Sequence, residues 1–170
     1  MKSLTEKYRM LVLTVAIVGI ADQVTKAWVQ SGMRLHQSIA VINGFFSLTY
    51  IRNPGAAFGL FSESGGSIRT VFFVVVSIAA VGLLGTLYAK TPLDRPFLRL
   101  AFSLVTAGAI GNLIDRVRFG EVVDFLDFYI RGYHWPAFNV ADSCITVGVT
   151  LLVLHSLVGR KVDSDLPAPQ

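Results

Sequence analysis

The sequence predicts a mainly α-helical integral membrane protein with four transmembrane helices, on three observations. Apolar residues make up 53% of the chain and charged residues 15%, where a soluble domain carries about 25% charge. Mean hydropathy is +0.60 over 170 residues, well on the apolar side. The apolar residues also fall into four blocks, each close to the ~20 residues a helix needs to cross the core of a bilayer. The net charge of +4 is spread along the chain, with no Lys/Arg block and no nucleic-acid motif. It reads as a membrane-surface bias, and no nucleic-acid partner is expected. Cys144 is the single cysteine; it allows neither an intrachain disulfide nor a cysteine-based metal site, and nothing assigns it a role.

The elements follow in order along one domain, 1–170. Residues 1–9 are short and basic, with Lys2, Lys7 and Arg9 against Glu6. Residues 10–28 are the first span. A basic start before an apolar run also describes a cleaved signal peptide. Here the run continues past Ile20 into Asp22 and Lys26 without a small-residue cleavage site, so a retained helix is expected. Residues 30–69 form a long loop. Within it, 45–52 alternates imperfectly and is rich in aromatic and β-branched residues, which predicts a strand. Asn53-Pro54-Gly55 then breaks it. Residues 56–61 are apolar and compact, and 63–67 are a turn. The second span, 70–89, carries no charge; the connection 90–96 is short; the third span is 97–114. A second long loop, 117–138, carries Phe128, Tyr129, Tyr133 and Trp135, aromatics suited to a membrane interface. The fourth span is 140–158, and the polar tail 161–170 is expected to be disordered.

Four spans put both termini and the short 90–96 connection on one side and the two long loops on the other. Lys2, Lys7, Arg9, Lys90, Arg95, Arg99, Arg160 and Lys161 gather on the first side. Lys and Arg in short segments mark the cytoplasmic face, so both termini are expected there. The same topology brings Asp22 and Lys26, then Asn112, Asp115 and Arg116, then Asn139 and Asp142 to one depth at the long-loop face. An ionisable residue inside a membrane span is a functional candidate by default. Each has a plainer role. Asp22 and Lys26, four apart, suit an ion pair. Asp115-Arg116 suits an interface anchor, and Asn139 and Asp142 suit a helix N-cap and a first-turn charge. Asp124 and Asp127 suit ordinary loop charges. Convergence of so many costly groups on one face favours a site.

Two carboxylates that approach one water cannot both ionise easily, so they share a proton. The ionised member takes a proton from water; the protonated member polarises a carbonyl and later protonates a leaving amine. Asp124 and Asp142, at the two ends of one loop, are the candidates for such peptide hydrolysis, which needs neither cofactor nor metal. His36, His134 and His155 are scattered, with no HExxH spacing. Gly108 and Gly111 suit close helix packing. A proton-linked transporter using Asp22, Asp124 and Asp142 as a relay, and a non-catalytic membrane assembly subunit, are the competing readings. A relay needs acids spaced through the membrane depth; these gather at one face.

Five motifs also carry a family resemblance: Asp22-Gln-Val-Thr-Lys26, Asn53-Pro-Gly-Ala-Ala-Phe58, Gly111-Asn-Leu-Ile-Asp-Arg116, Val122-Val-Asp-Phe125 and Pro136-Ala-Phe-Asn-Val-Ala-Asp-Ser143. In this order, across nearly the whole chain, they resemble the lipoprotein signal peptidase (signal peptidase II) family of bacterial inner-membrane aspartic endopeptidases. The resemblance implies Asp124 and Asp142 as the catalytic dyad. It implies Asn53, Gly55, Ala56, Gly108, Asn112, Arg116, Phe138, Asn139 and Ala141 as residues at or beside the substrate, with Asp22, Lys26 and Asp115 in support. The implied substrates are prolipoproteins whose lipobox cysteine carries diacylglycerol, cut on the N-terminal side of that cysteine. Membrane lipids and the inhibitor globomycin are the implied further partners, and the enzyme is expected to act as a monomer. The resemblance also implies a small periplasmic β-cradle and an amphipathic periplasmic segment, which 45–52 and 56–68 fit.

Overall fold

The computed structural model describes residues 4–55 and 66–164. Ala56 and most of the expected amphipathic segment, residues 56–65, lie outside the described residues, as do 165–170. Four long helices carry the chain: α1 (Leu4–Gly32), α2 (Gly66–Lys90), α3 (Pro96–Phe119) and α4 (Val140–Ser164). Each contains a stretch long and apolar enough to cross a membrane. Their apolar side chains point outward: Ile17, Val24, Ile68, Val75, Leu83 and Val117 are all more than half exposed. Many of the residues buried between the helices are instead small or polar, among them Asp22, Lys26, Ser103, Thr106, Ala107, Asn112 and Asp115. Apolar surface this extensive is stable against lipid rather than water. The chain is a multi-pass membrane protein.

α3 is the central helix and packs against α1, α2 and α4. Small residues let it approach α4 closely. A Cβ at Gly108 would run into the Ala141 backbone and Ile145, and one at Gly148 would lie 2.8 Å from the Ala101 carbonyl oxygen. The expected packing role of Gly108 and Gly111 is therefore seen directly, with Gly111 set against Asp22 and Ala141.

A four-stranded antiparallel sheet, ordered β1 (Ser38–Ile42), β2 (Phe46–Asn53), β3 (Val122–Ile130) and β4 (Tyr133–His134), joins the helices at the long-loop end. Val29 of α1, Tyr50 of β2, and Val123 and Phe125 of β3 form the buried cluster that seats it, with Val140 of α4 packed alongside. β2 lies where a strand was expected. β3 and β4 lie in what reads from sequence as an aromatic loop, and β1 in the long polar-to-mixed loop of 30–69. The first six residues of β3 are buried or half-buried, so no period of two marks it as a strand. The β3–β4 turn places Arg131 at φ 51° and Gly132 at φ 82°, the left-handed pair that a two-residue hairpin requires. The helices outrun their expected limits. α1 begins at Leu4 rather than Met10, α3 runs past Ile114 to Phe119, and α4 continues to Ser164, into the stretch expected to be disordered.

Candidate active site

Asp124 stands on β3, opposite Ile51 of β2, while Val122 pairs with Asn53. This register brings the Asn53 side chain to Asp124: Nδ2 donates to Oδ2 at 2.9 Å. The other end of that amide is also tied, because Asn53 Oδ1 accepts the Gly55 N–H at 2.9 Å. This is an Asx turn, and it leaves Gly55 at φ 88°, with the Phe73 ring where a Cβ would stand. Hence Asn53-Pro54-Gly55 breaks the strand and at the same time aims a donor at Asp124.

Asp142 stands in the first turn of α4, in a reciprocal cap. Asn139 Oδ1 accepts the Asp142 N–H at 2.9 Å, and Asp142 Oδ2 accepts the Asn139 N–H at 3.3 Å. Each satisfies a donor that the helix start leaves open. The plain capping role is therefore real, and the same groups do more. Asn139 Nδ2 donates to Asp124 Oδ1 at 2.7 Å and to Asn112 Oδ1 at 3.2 Å. Asn112 Nδ2 in turn donates to Asp142 Oδ1 at 2.7 Å. Two asparagines thus link the two carboxylates, one from β3 and one from α4.

Beneath them lies a buried charge cluster. Lys26 Nζ reaches Asp22 Oδ2 at 2.8 Å, Asp115 Oδ2 at 2.9 Å and Asn112 Oδ1 at 3.1 Å, which uses all three ammonium protons. The expected Asp22–Lys26 pair exists and is extended by Asp115. Both carboxylates also hold backbone, Asp22 through its other oxygen and Asp115 through the oxygen that meets Lys26. Asp22 Oδ1 accepts the Ala141 N–H at 2.9 Å, and Asp115 Oδ2 accepts the Val123 N–H at 3.1 Å. Ala141 precedes Asp142 and Val123 precedes Asp124, so each supporting carboxylate anchors the residue beside one member of the pair.

Asp124 is 2% exposed. Burial pushes its carboxyl up to about 7, the nearby Asp142 charge adds to the rise, and the Asn53 and Asn139 hydrogen bonds and Lys26 oppose it. A carboxyl at that value exchanges protons near neutral pH. Asp142 lines a cavity of about 660 Å3 together with Asn53, Trp135, Phe138, Ser143 and Val147. Trp135 and Phe138 also border a second, aromatic cavity of about 510 Å3 on the sheet.

Among the sequence candidates, Asp22, Lys26, Asn53, Asn112, Asp115, Asp124, Asn139 and Asp142 form one connected network. Phe138 lines the cavity, and its backbone pairs with Leu126. Gly108 and Ala141 sit behind the network at the α3–α4 contact. Arg116 faces α2: its guanidinium donates to Ser77 Oγ at 3.5 Å and stands 5.4 Å from the Phe73 ring centroid. Its charge is nonetheless felt by Asp142, Asp124 and Asp115. Asp127 is no free loop charge; it accepts from Thr49 at 3.1 Å and pairs with His134 at 2.8 Å. Sequence reading missed Gln23, whose Nε2 bridges Asp22 at 3.2 Å and Asp115 at 3.0 Å. Its place beside Asp22, one turn ahead of Lys26, is the available signal.

A model of the Signal peptidase (SPase) II family matches residues 14–158. The lipoprotein signal peptidase of Desulforapulum autotrophicum is 49% identical over 153 residues, covering 90% of this chain and 94% of that protein. That of Symbiobacterium thermophilum is 51% identical over 155 residues, covering 89% and 98%. Two solved bacterial membrane enzyme structures are similar throughout. One has 41% identity and a TM-score of 0.78 over 86% of this chain and 92% of its own. The other has 38% identity and a TM-score of 0.81 over 94% of each.

Proposed function

The chain belongs to the signal peptidase II family of membrane peptidases, and from that premise we propose that it is an aspartic endopeptidase that removes signal peptides from diacylglyceryl-modified prolipoproteins. The observation that carries this reading is the Asp124–Asn139–Asn112–Asp142 network at the edge of the cavity. It gives two carboxylates fixed orientations in one polar site and holds one of them near pH 7 in proton affinity.

In this mechanism the dyad holds one proton. The ionised carboxylate takes a proton from a water, whose oxygen attacks the carbonyl carbon before the lipidated cysteine. The protonated carboxyl gives its proton to the carbonyl oxygen, forming a neutral gem-diol. Collapse breaks the C–N bond: one carboxyl protonates the departing cysteine amine, and the signal peptide leaves with a new carboxyl terminus. The dyad regains its single proton. Asn53, Asn112 and Asn139 hold the carboxylates in place through this exchange. Asp22, Lys26 and Asp115 hold the backbone that carries them. Arg116 contributes positive charge at the side facing α2.

The enzyme sits in the bacterial cytoplasmic membrane with both termini inside and the dyad near the outer face, as the Lys/Arg bias indicates. A monomer is the proposed working form, a reading supported by one chain supplying the Asp124–Asn139–Asn112–Asp142 network among the described residues. Globomycin inhibits it by occupying the cavity. The test uses purified wild type, Asp124→Asn and Asp142→Asn, each checked for folding, with a diacylglyceryl-prolipoprotein and a chelator. Cleavage by wild type alone, blocked by globomycin, is expected, with the Asn variants at least ~1,000-fold slower. Equal cleavage by both variants overturns the dyad.

A further inference from the structure

The membrane face opposite the dyad holds a second polar feature that peptide cleavage does not use. Between the first turns of α1 and the α2–α3 connection lies a cavity of about 370 Å3. Glu6, Arg9 and Arg99 line it, together with apolar Met10, Leu13, Ile17 and Leu93. Its character changes with depth. Arg9 lies in the opening turns of α1, Arg99 in the first turn of α3, and Ile17 about 12 Å further along α1 at 1.5 Å per residue. Leu13 and Ile17 are 53% and 67% exposed, so the apolar wall opens to the lipid.

Arg99 is the telling residue. It is 5% exposed, and its guanidinium donates to the Lys7 carbonyl and to the Tyr88 hydroxyl, the latter at 2.8 Å, while lying 5.2 Å from the Tyr88 ring centroid. These partners are all neutral, and Nε is buried without a hydrogen-bond partner. A guanidinium buried among neutral groups at a membrane boundary is costly unless an anion approaches it. Arg9 adds a second cation and Glu6 one carboxylate, which leaves the rim net positive.

We propose that this cavity binds one anionic phospholipid, its phosphate at Arg9 and the edge of Arg99 and one acyl chain along Leu13 and Ile17. A guanidinium suits phosphate because its parallel N–H groups match the oxygen geometry. The site lies at the end of the helices remote from the dyad, so its occupancy bears on stability rather than on the chemical step.

Full-length protein stripped of lipid in detergent provides the test. Native mass spectrometry counts retained lipids, and thermal unfolding is followed with added phosphatidylglycerol, phosphatidylcholine or inorganic phosphate. Phosphatidylglycerol alone is expected to be retained at one copy and to raise the Tm. Arg9→Gln weakens it about fivefold, the effect of one basic residue at an anionic surface. Leu13→Trp, which fills the apolar wall while keeping every charge, weakens it as well. Both variants keep wild-type peptidase activity in saturating lipid. Equal retention of phosphatidylcholine, an equal Tm rise from inorganic phosphate, or undiminished binding by both variants overturns the proposal.

Discussion

Asp124 is where burial and chemistry meet most directly. Its carboxyl is raised to about 7 chiefly by desolvation, while Asn53 and Asn139 pull the other way. If the dyad works with one proton, kcat/KM falls on the alkaline side as the second proton leaves, with a limb centred near pH 7. Asn53→Ala removes a hydrogen bond that favours the ionised form, so that limb moves to higher pH while the fold persists. A limb that stays in place shows that Asn53 does not tune Asp124. The sign for stability follows from the same shift. A carboxyl whose folded value lies above its unfolded one binds protons better when folded. Its contribution is fully present below pH ~4 and is lost as pH rises through about 7. At high pH the ionised buried group costs on the order of 4 kcal/mol. Asp124→Asn is therefore expected to be more stable than wild type above pH 8 and to flatten the pH dependence of unfolding, measured by thermal unfolding between pH 5 and 9.

The elements are held in register by the buried charge cluster, which binds α1, α3, β3 and α4 at one point. Lys26→Met leaves Asp22 and Asp115 buried beside each other without their cation, a loss of about 3–5 kcal/mol. Adding Asp22→Asn and Asp115→Asn removes the stranded charges and recovers much of that stability. It does not recover activity, because an amide holds the Ala141 and Val123 N–H groups less firmly than a carboxylate. Full activity in the triple variant would mean that the cluster serves folding alone. The motif Asp22-Gln-Val-Thr-Lys26 made the helical pair legible, since four residues set both groups on one face. Asp115 as third partner was not legible, because nothing local tells which helix lies across from α1. The sheet shows the same limit. β2 announces itself by composition and by its Asn-Pro-Gly stop. β3 is buried on both faces and hides its alternation, and β1 gains its structure by pairing with β2. Asn139 was readable as a cap, and its second role emerges only when β3 brings Asp124 alongside.

At the scale of the whole molecule the fold is turned outward. Most apolar side chains of the spans face the bilayer, and polar and small ones fill much of the space between the helices, with the network concentrated where α1 and α3 end and α4 begins. The spans were legible for this reason: lipid demands long apolar blocks whatever their neighbours, whereas site geometry depends on contacts between distant segments. A site confined to one depth has a consequence for the proposed substrate, a diacylglyceryl-modified prolipoprotein. Acyl chains on the cysteine fix the scissile bond at the bilayer surface, and the signal peptide fixes it from the other side. Under the proposed function, the membrane thus presents the bond near the height of Asp124 and Asp142 before any protein contact forms. Such pre-positioning replaces translational freedom that a free peptide must lose. Removing the diacylglyceryl group from an otherwise identical substrate should lower kcat/KM at least ~100-fold, with most of the loss in KM, because the chemistry of the bond is unchanged. Reconstitution into bilayers should widen the gap relative to detergent, where the surface is small and poorly ordered. Kinetics of both substrates in both environments decide it. A gap of the same size in detergent and bilayer places the recognition of the lipid in direct protein contacts, such as the aromatic walls at Trp135 and Phe138, rather than in the shared depth.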